Sequence, residues 1–413
     1  MLSGATTSSL QSRSLVTGVV HRLMRSRCDN AAMFAFFWGV ILLGSYSYNK
    51  IFNPWWEGGF NTNDWLINYG GGFVRRGLFG QLLIEFHRVI PVLSLTRELQ
   101  LIQIGFLFAA GLVFTLLAHR VSHRWLPWVF LSPAGLLWSA YDRRGGLRKE
   151  IILIIALGLL ALACRHSSRR VILWANAVAA LLAALTIFSW EASIVLAPTL
   201  ALLQWRSLAP LMSARQRRVV VATTSGFLVV AFGLASTHRG SIHNILGMCR
   251  GLRQAGMNTI FTCRPSGKVF GEFTALTSTI HAQIHLVSLY LPRNWFYGFW
   301  LILALFPFMA SGWLRRWWPF ALGQFAVTIP LYVIGTDWGR WVHLFIISLT
   351  IMWLATISTT PKAELGPRGT IESAGLLAWT TCWGFSYYFY PFWIGGFFAL
   401  LKSAGIMHFF KQL

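Results

Sequence analysis

Acidic residues are scarce in this 413-residue chain: Asp and Glu together number 12 against 35 Lys and Arg, and charged residues of both signs make up only 11% of the sequence. Soluble globular domains carry about a quarter, so the deficit excludes an ordinary soluble fold. The chain also lacks G-x-x-x-x-G-K-[ST], G-x-G-x-x-G ahead of a helix, and G-x-S-x-G. Their absence removes the usual support for nucleotide-driven transport and for serine-hydrolase chemistry. His281 and His285 stand four apart without a third ligand, so neither a metal nor another cofactor is expected. The basic residues are scattered among apolar runs and no nucleic-acid-binding motif accompanies them, which disfavours nucleic acid as a partner. Met1 to Asn30 is rich in Ser and Thr and has no apolar core, so it does not read as a cleavable signal peptide, and the first apolar run is expected to be a retained span.

What is present is apolar: 55% hydrophobic and 15% aromatic residues, in runs separated by short basic loops. The expected fold class is an all-α polytopic integral membrane protein of about 11–12 transmembrane helices. Runs near Ala32 to Tyr48, Leu99 to Leu117, Leu126 to Ala140, Ile151 to Cys164, Val171 to Phe188, Ala192 to Trp205, Val219 to Ala235, Phe296 to Trp313, Trp317 to Ile334, Val342 to Ile357 and Ser373 to Tyr388 supply eleven spans. A twelfth, Phe392 to Phe410, is interrupted by Gly395, Gly396 and Lys402. Residues 1–31 form a tail and 32–413 one transmembrane domain, with an outer segment over 51–98 that includes an interfacial helix and a long outer loop over 237–295. The positive-inside rule places the tail and the loops holding Arg165, Arg169, Arg170, Arg206, Arg215, Arg217, Arg218, Arg315 and Arg316 in the cytoplasm.

Arginines on the opposite side run against that bias and need another reason, such as pairing or ligand binding. In the outer segment, three glycines (Gly70, Gly71, Gly72) precede Arg75 and Arg76, where a turn meets a helix start favourable to phosphate. Asp64 in the same stretch is the first candidate to accept a proton from a sugar hydroxyl, or it pairs with Arg75 or Arg76. Asp142 to Glu150 packs Arg143, Arg144, Arg148 and Lys149 between two acids, with Glu150 read as a helix-start carboxylate. Glu191 follows Trp190 at a membrane boundary, as a helix-start or a functional acid. Asp337 and Arg340, three apart between glycines, read as an ion pair or as a phosphate-holding arginine oriented by its acid. Cys249 and Cys263 share the long loop and could form a disulfide if that loop faces an oxidising compartment.

The stretches G-G-G-F-V-R-R-G-L-F-G (70–80), D-R-R-G-G-L-R-K-E (142–150), W-E (190–191) and G-T-D-W-G-R (335–340) together resemble bacterial O-antigen, capsule and exopolysaccharide polymerases of the Wzy type. That resemblance implies an architecture like the metal-independent C-type glycosyltransferases, with an outer-facing site in the bacterial inner membrane. Its substrates would be oligosaccharides linked to undecaprenyl diphosphate, its other partners membrane lipids, with a chain-length regulator as a further partner to look for. On this reading Arg75, Arg76, Arg340, Arg143, Arg144 and Arg148 hold the diphosphate, and Asp64, then Asp337 or Glu191, takes the hydroxyl proton. A single-sugar transferase using polyprenyl phosphate would need the same residues. A transporter of lipid-linked glycan is the non-enzymatic alternative, although its charges belong near the midplane instead of at the outer edge.

Overall fold

The computed structural model describes residues 60–119, 121, 124–138, 148–257, 263, 279–357 and 370–384. Among these the secondary structure is entirely helical, with no strand. This is the economical solution for an apolar chain, because a helix satisfies its own backbone groups where water is absent. In chain order the α-helices are α1 (Phe60–Leu66), α2 (Leu78–Val89), α3 (Leu95–His119), α4 (Leu126–Phe130), α5 (Glu150–Ala163), α6 (Arg169–Ser189) and α7 (Ala197–Ser207). They continue as α8 (Ala214–Thr237), α9 (Ile242–Gln254), α10 (Ile280–Asn294), α11 (Phe296–Ala310), α12 (Trp313–Ile334), α13 (Trp338–Thr356) and α14 (Thr370–Thr381).

Five of these, α3, α6, α8, α12 and α13, are long and apolar enough to cross a membrane, and α5 and α11 are shorter apolar helices. Their burial sorts them. The apolar window of α13 is 94% buried and that of α8 only 17%, so α13 is a central element and α8 a peripheral one whose apolar surface is left exposed. The central α5 packs against α3, α6, α7 and α13. Its approach to α3 is close: Gly158 faces the Val113 side chain, and any Cβ there would collide with it.

Two expected spans depart from a plain helix. In the run from Leu126 to Ala140 the helix stops at Phe130, because Pro133 lacks an N–H and biases Ser132 away from the helical region, so the chain turns over 131–137 before it is helical again at Trp138. Irregular backbone of this kind is tolerated in a membrane where protein covers it, and Ser132, Ala134, Leu136, Leu137 and Trp138 are all buried. His343 of α13 seals it, donating from Nδ1 to the Ala134 carbonyl at 3.0 Å and stacking on Trp138 at 4.4 Å between ring centroids. The second departure is the run from Ala192 to Trp205, which is composite. The chain is extended at Trp190, turns through a 3-10 segment at Glu191–Leu196, and only then enters α7.

The stretch expected to hold an interfacial helix contains α2, with Phe79, Leu83 and Ile84 buried and Leu82, Phe86 and Val89 exposed. It is tied to α3 by His87, whose Nδ1 lies 3.0 Å from Glu98 Oε2. The tail over 1–31, the expected spans at Ala32 to Tyr48 and Phe392 to Phe410, and the cations Arg143 and Arg144 lie outside the described residues.

Side-chain contacts define two ends of the bundle. At one, Arg165 donates to the carbonyls of Leu117 and Leu354, closing the C-terminal turns of α3 and α13. Arg206 covers Trp317 there at 5.4 Å and Arg217 covers Trp205 at 4.2 Å. At the other end gather the starts of α5 and α13, the end of α6 and the turn before α2, and these carry a cluster of arginines and acids.

Candidate functional site

The turn ahead of α2 is shaped by close backbone approach. The Asn68 side chain accepts from the Gly70 N–H at 2.8 Å, and the Gly72 N–H donates to the Tyr69 carbonyl at 2.9 Å, with Gly72 at φ +108°. A Cβ at Gly71 would lie 2.5 Å from the Asn244 Cα, so this turn can seat on α9 only as glycine. Arg76 then adopts φ 69°, and among the described residues it is the sole non-glycine with positive φ. A left-handed arginine costs about 1–2 kcal/mol, and the surroundings hold it there. Its Nε donates to both Glu191 oxygens at 3.1 and 2.9 Å, and its Nη2 donates to Oε1 at 2.8 Å. Its carbonyl accepts from Lys149 Nζ at 3.2 Å.

Glu191 opens the 3-10 segment after the break at Trp190 and also lies 3.7 Å from Arg75 Nη1. Burial pushes its carboxyl up, but the charge and hydrogen bonds of Arg76 and the charge of Arg75 outweigh that, so it is held below the usual glutamate range. Burial, together with neighbouring Arg76, lowers Arg75 to about 10. Lys149, fully buried, also donates to the Ser189 carbonyl at 3.0 Å, joining the end of α6 to the arginine turn.

Arg340 is the best-anchored cation. Its Nε and Nη2 form a fork onto Glu150 at 2.7 and 2.6 Å, its guanidinium lies 3.9 Å over the Trp190 ring, and Trp190 stacks in turn on Trp341. Asp337 is a secondary neighbour, at 3.6 Å from Nη1.

The two remaining acids differ in character. Asp64 is 3% exposed, and its Oδ2 has no hydrogen-bond partner among the described residues. Burial raises its carboxyl, and the surrounding charges of Lys149, Arg148, Arg76 and Arg340 more than reverse this. Asp337, at the cap position of α13, keeps 23% of its side chain exposed. Its carboxyl is pushed above the usual range by burial, with help from Glu150 and against Arg340, Arg148 and Arg76.

The structure thus brings Asp64, Arg75, Arg76, Arg148, Glu191, Asp337 and Arg340 to one end of the bundle. Proximity in sequence pairs Asp64 with Arg75 or Arg76 and Arg340 with Asp337. The expected Asp337–Arg340 ion pair is present at 3.6 Å, and the hydrogen-bonded forks join Arg76 to Glu191 and Arg340 to Glu150, across 115 and 190 positions. Three roles are not legible in the sequence: Lys149 as a buried donor to two carbonyls, the Trp190 face beneath Arg340, and Glu150 as an ion-pair partner in addition to its place in the first turn of α5. Their signal is Lys-Glu opening a helix apolar on every side, where both charges must find partners indoors. Arg76 and Arg340 are therefore compensated, and an incoming anion has to compete with Glu191 and Glu150 for them.

Beside this cluster, Cys249 and Cys263 form a disulfide. Among the described residues no three His, Cys, Asp or Glu side chains group as metal ligands. No family model, no curated protein and no solved structure matches the chain.

Proposed function

We propose that the chain is a membrane glycosyl polymerase that joins oligosaccharide repeats linked to undecaprenyl diphosphate into surface polysaccharide, at the outer leaflet of a bacterial inner membrane. In this reaction a hydroxyl of the acceptor glycan attacks the anomeric carbon of the donor. The bond from that carbon to the diphosphate oxygen breaks, and undecaprenyl diphosphate leaves. Negative charge grows on the departing group, and fixed cations placed in advance are effective against it. Arg75 and Arg76 are partly exposed at the rim and would receive the diphosphate, in competition with Glu191. Arg340 and Lys149, deeper and fully engaged, supply field and scaffold.

The observation that carries this reading is Asp337. Glu150 and Glu191 are held by arginine forks and the cations around Asp64 hold it below its usual range, whereas Asp337 is partly exposed beside Arg340 with its proton affinity raised. A proton acceptor works best when its own pKa approaches the working pH, so Asp337 takes the hydroxyl proton and Asp64 balances the cations. An outward orientation is supported twice. The opposite end holds the arginines Arg165, Arg206 and Arg217 at its helix ends, as cytoplasmic loops do. The disulfide lies at the cluster end, as an oxidising compartment would favour.

The test is deletion of the gene in its host, with mass spectrometry of lipid-linked oligosaccharides and surface polymer. A complete single repeat stranded on the outer leaflet is the expected result. An incomplete repeat would mean a single-sugar transferase, a complete repeat confined to the inner leaflet would mean a transporter, and unchanged polymer would overturn the polysaccharide reading.

A further inference from the structure

The turn that carries Arg75 and Arg76 does not stand on the main core alone. Ile67 and Val74, which flank it, are buried with Ile245, Met248 and Cys249 of α9 in a second, small core against which Tyr69 and Cys263 pack. The disulfide is one wall of that core. The two backbones touch through glycines on both sides: a Cβ at Gly70 would lie 3.0 Å from the Gly247 carbonyl oxygen, and one at Gly71 would lie 2.5 Å from the Asn244 Cα. Polar bonds fix the register. Asn244 Nδ2 donates to the Gly71 carbonyl at 2.5 Å, and the Arg75 N–H donates to the His238 carbonyl at 2.9 Å. Asn244 is itself held by Ser241, whose hydroxyl donates to Oδ1 at 2.6 Å in the cap of α9. Beyond Cys249, Leu252, Ala255 and Met257 enter the main core. So α9 bridges a well-packed body and the arginine turn.

We infer that α9, closed by the Cys249–Cys263 disulfide, is a splint that sets the position of Arg75 and Arg76, and that the arginine pair is correctly placed only once these thiols are oxidised. A core of five buried residues encloses little apolar area, and units this small need a covalent staple to hold one arrangement. The closing step is thiol–disulfide exchange with a protein that donates a disulfide. Cys249 and Cys263 lose two protons and two electrons, the sulfur–sulfur bond forms, and the donor's disulfide is reduced to two thiols. The partner so implied is a dithiol–disulfide exchange protein of the compartment that the cluster faces. In a reducing compartment the chain would hold its bundle but not its arginine turn.

The experiment uses the full chain in lipid nanodiscs, oxidised or reduced with a phosphine after folding, with bond breakage verified by mass. It also uses the variants Cys249→Ser/Cys263→Ser and Asn244→Ala. Amide hydrogen exchange over 69–77 is expected to accelerate about tenfold on reduction and in both variants, while exchange in α13 stays unchanged, since local opening need not involve the whole fold. Binding of inorganic pyrophosphate is expected to weaken about fivefold in the same samples, in line with loss of one of two charge-assisted contacts. Unchanged exchange over 69–77 after verified reduction would overturn the splint, and so would equal acceleration in α13, which would make the disulfide a global stabiliser. The pyrophosphate arm alone rests on the proposed function. Accelerated exchange with no pyrophosphate binding in either state would leave the splint standing and remove the phosphate reading.

Discussion

Arg340 and Glu150, 190 positions apart, meet through hydrogen bonds of 2.7 and 2.6 Å while both side chains are almost fully buried. Removing one member strands the other charge in an apolar bundle, which typically costs about 3–5 kcal/mol, whereas replacing both by apolar or neutral groups of similar volume costs much less. Glu150→Ala and Arg340→Ala are each expected to unfold early in thermal denaturation of the purified protein, and the pair Glu150→Gln/Arg340→Met to recover most of the loss. A double variant as unstable as either single one would mean that Arg340 is valued for its stacking on Trp190 instead.

Asp337 gives a pH prediction with a definite sign. Its carboxyl is raised by burial above the ordinary 3.8, so the folded protein prefers the protonated form and ionisation costs stability as pH rises above that value. Asp337→Asn is therefore expected to melt higher than the parent at neutral pH and yet to make no polymer. On the proposed function, polymerisation by the purified parent should rise with pH through the raised value and then level off. Full polymer from Asp337→Asn would remove it as the proton acceptor.

Asp64 and Glu191 have the opposite sign. Both are held below their ordinary values of 3.8 and 4.5 despite burial, by the cations around them. The stability they contribute is complete above about pH 4.5 and is lost as pH falls through their depressed folded values. Melting temperature followed from pH 7 down to pH 3 should drop in the acid range, and Glu191→Gln should flatten part of that drop. An unaltered acid slope in Glu191→Gln would place the acid sensitivity in other carboxylates.

How far the amino-acid sequence reveals this arrangement follows from the range of the forces involved. Apolar runs mark α3, α6, α8, α12 and α13 because each is a local pattern of sufficient length. The segment after Leu126 reads as one more run by composition, and Pro133 alone, inside it, carries the information that it turns. Site residues are legible by type for a similar reason: arginines set among glycines and acids, apart from the plainly basic loops, are conspicuous. Their partners are not, because Glu150 with Arg340 and Glu191 with Arg76 are joined by helix packing across more than a hundred positions each. Among neighbours in sequence, Asp337 and Arg340 do form the ion pair that their spacing suggests, at 3.6 Å. Lys149 cannot be identified as a fully buried cation without knowing that the end of α6 and the arginine turn both point carbonyls at it.

Arg76 separates stability from activity within one position. Its φ of 69° suits glycine far better than any residue with a Cβ, so Arg76→Gly and Arg76→Ala both lose the guanidinium that faces Glu191, but only the alanine retains the backbone strain. Arg76→Gly is expected to be more stable than Arg76→Ala by ~1 kcal/mol, the cost of a left-handed non-glycine residue, as read from denaturant or thermal unfolding. Both should reach the membrane and neither should make polymer, because what they share is the missing cation. Equal stability of the two would show that the turn relaxes around residue 76 and that no strain is stored there. Normal polymer length in Arg76→Gly would mean that the left-handed backbone serves only the packing of the turn on α9, and the proposed diphosphate site would then have to rest on other cations at this end of the bundle.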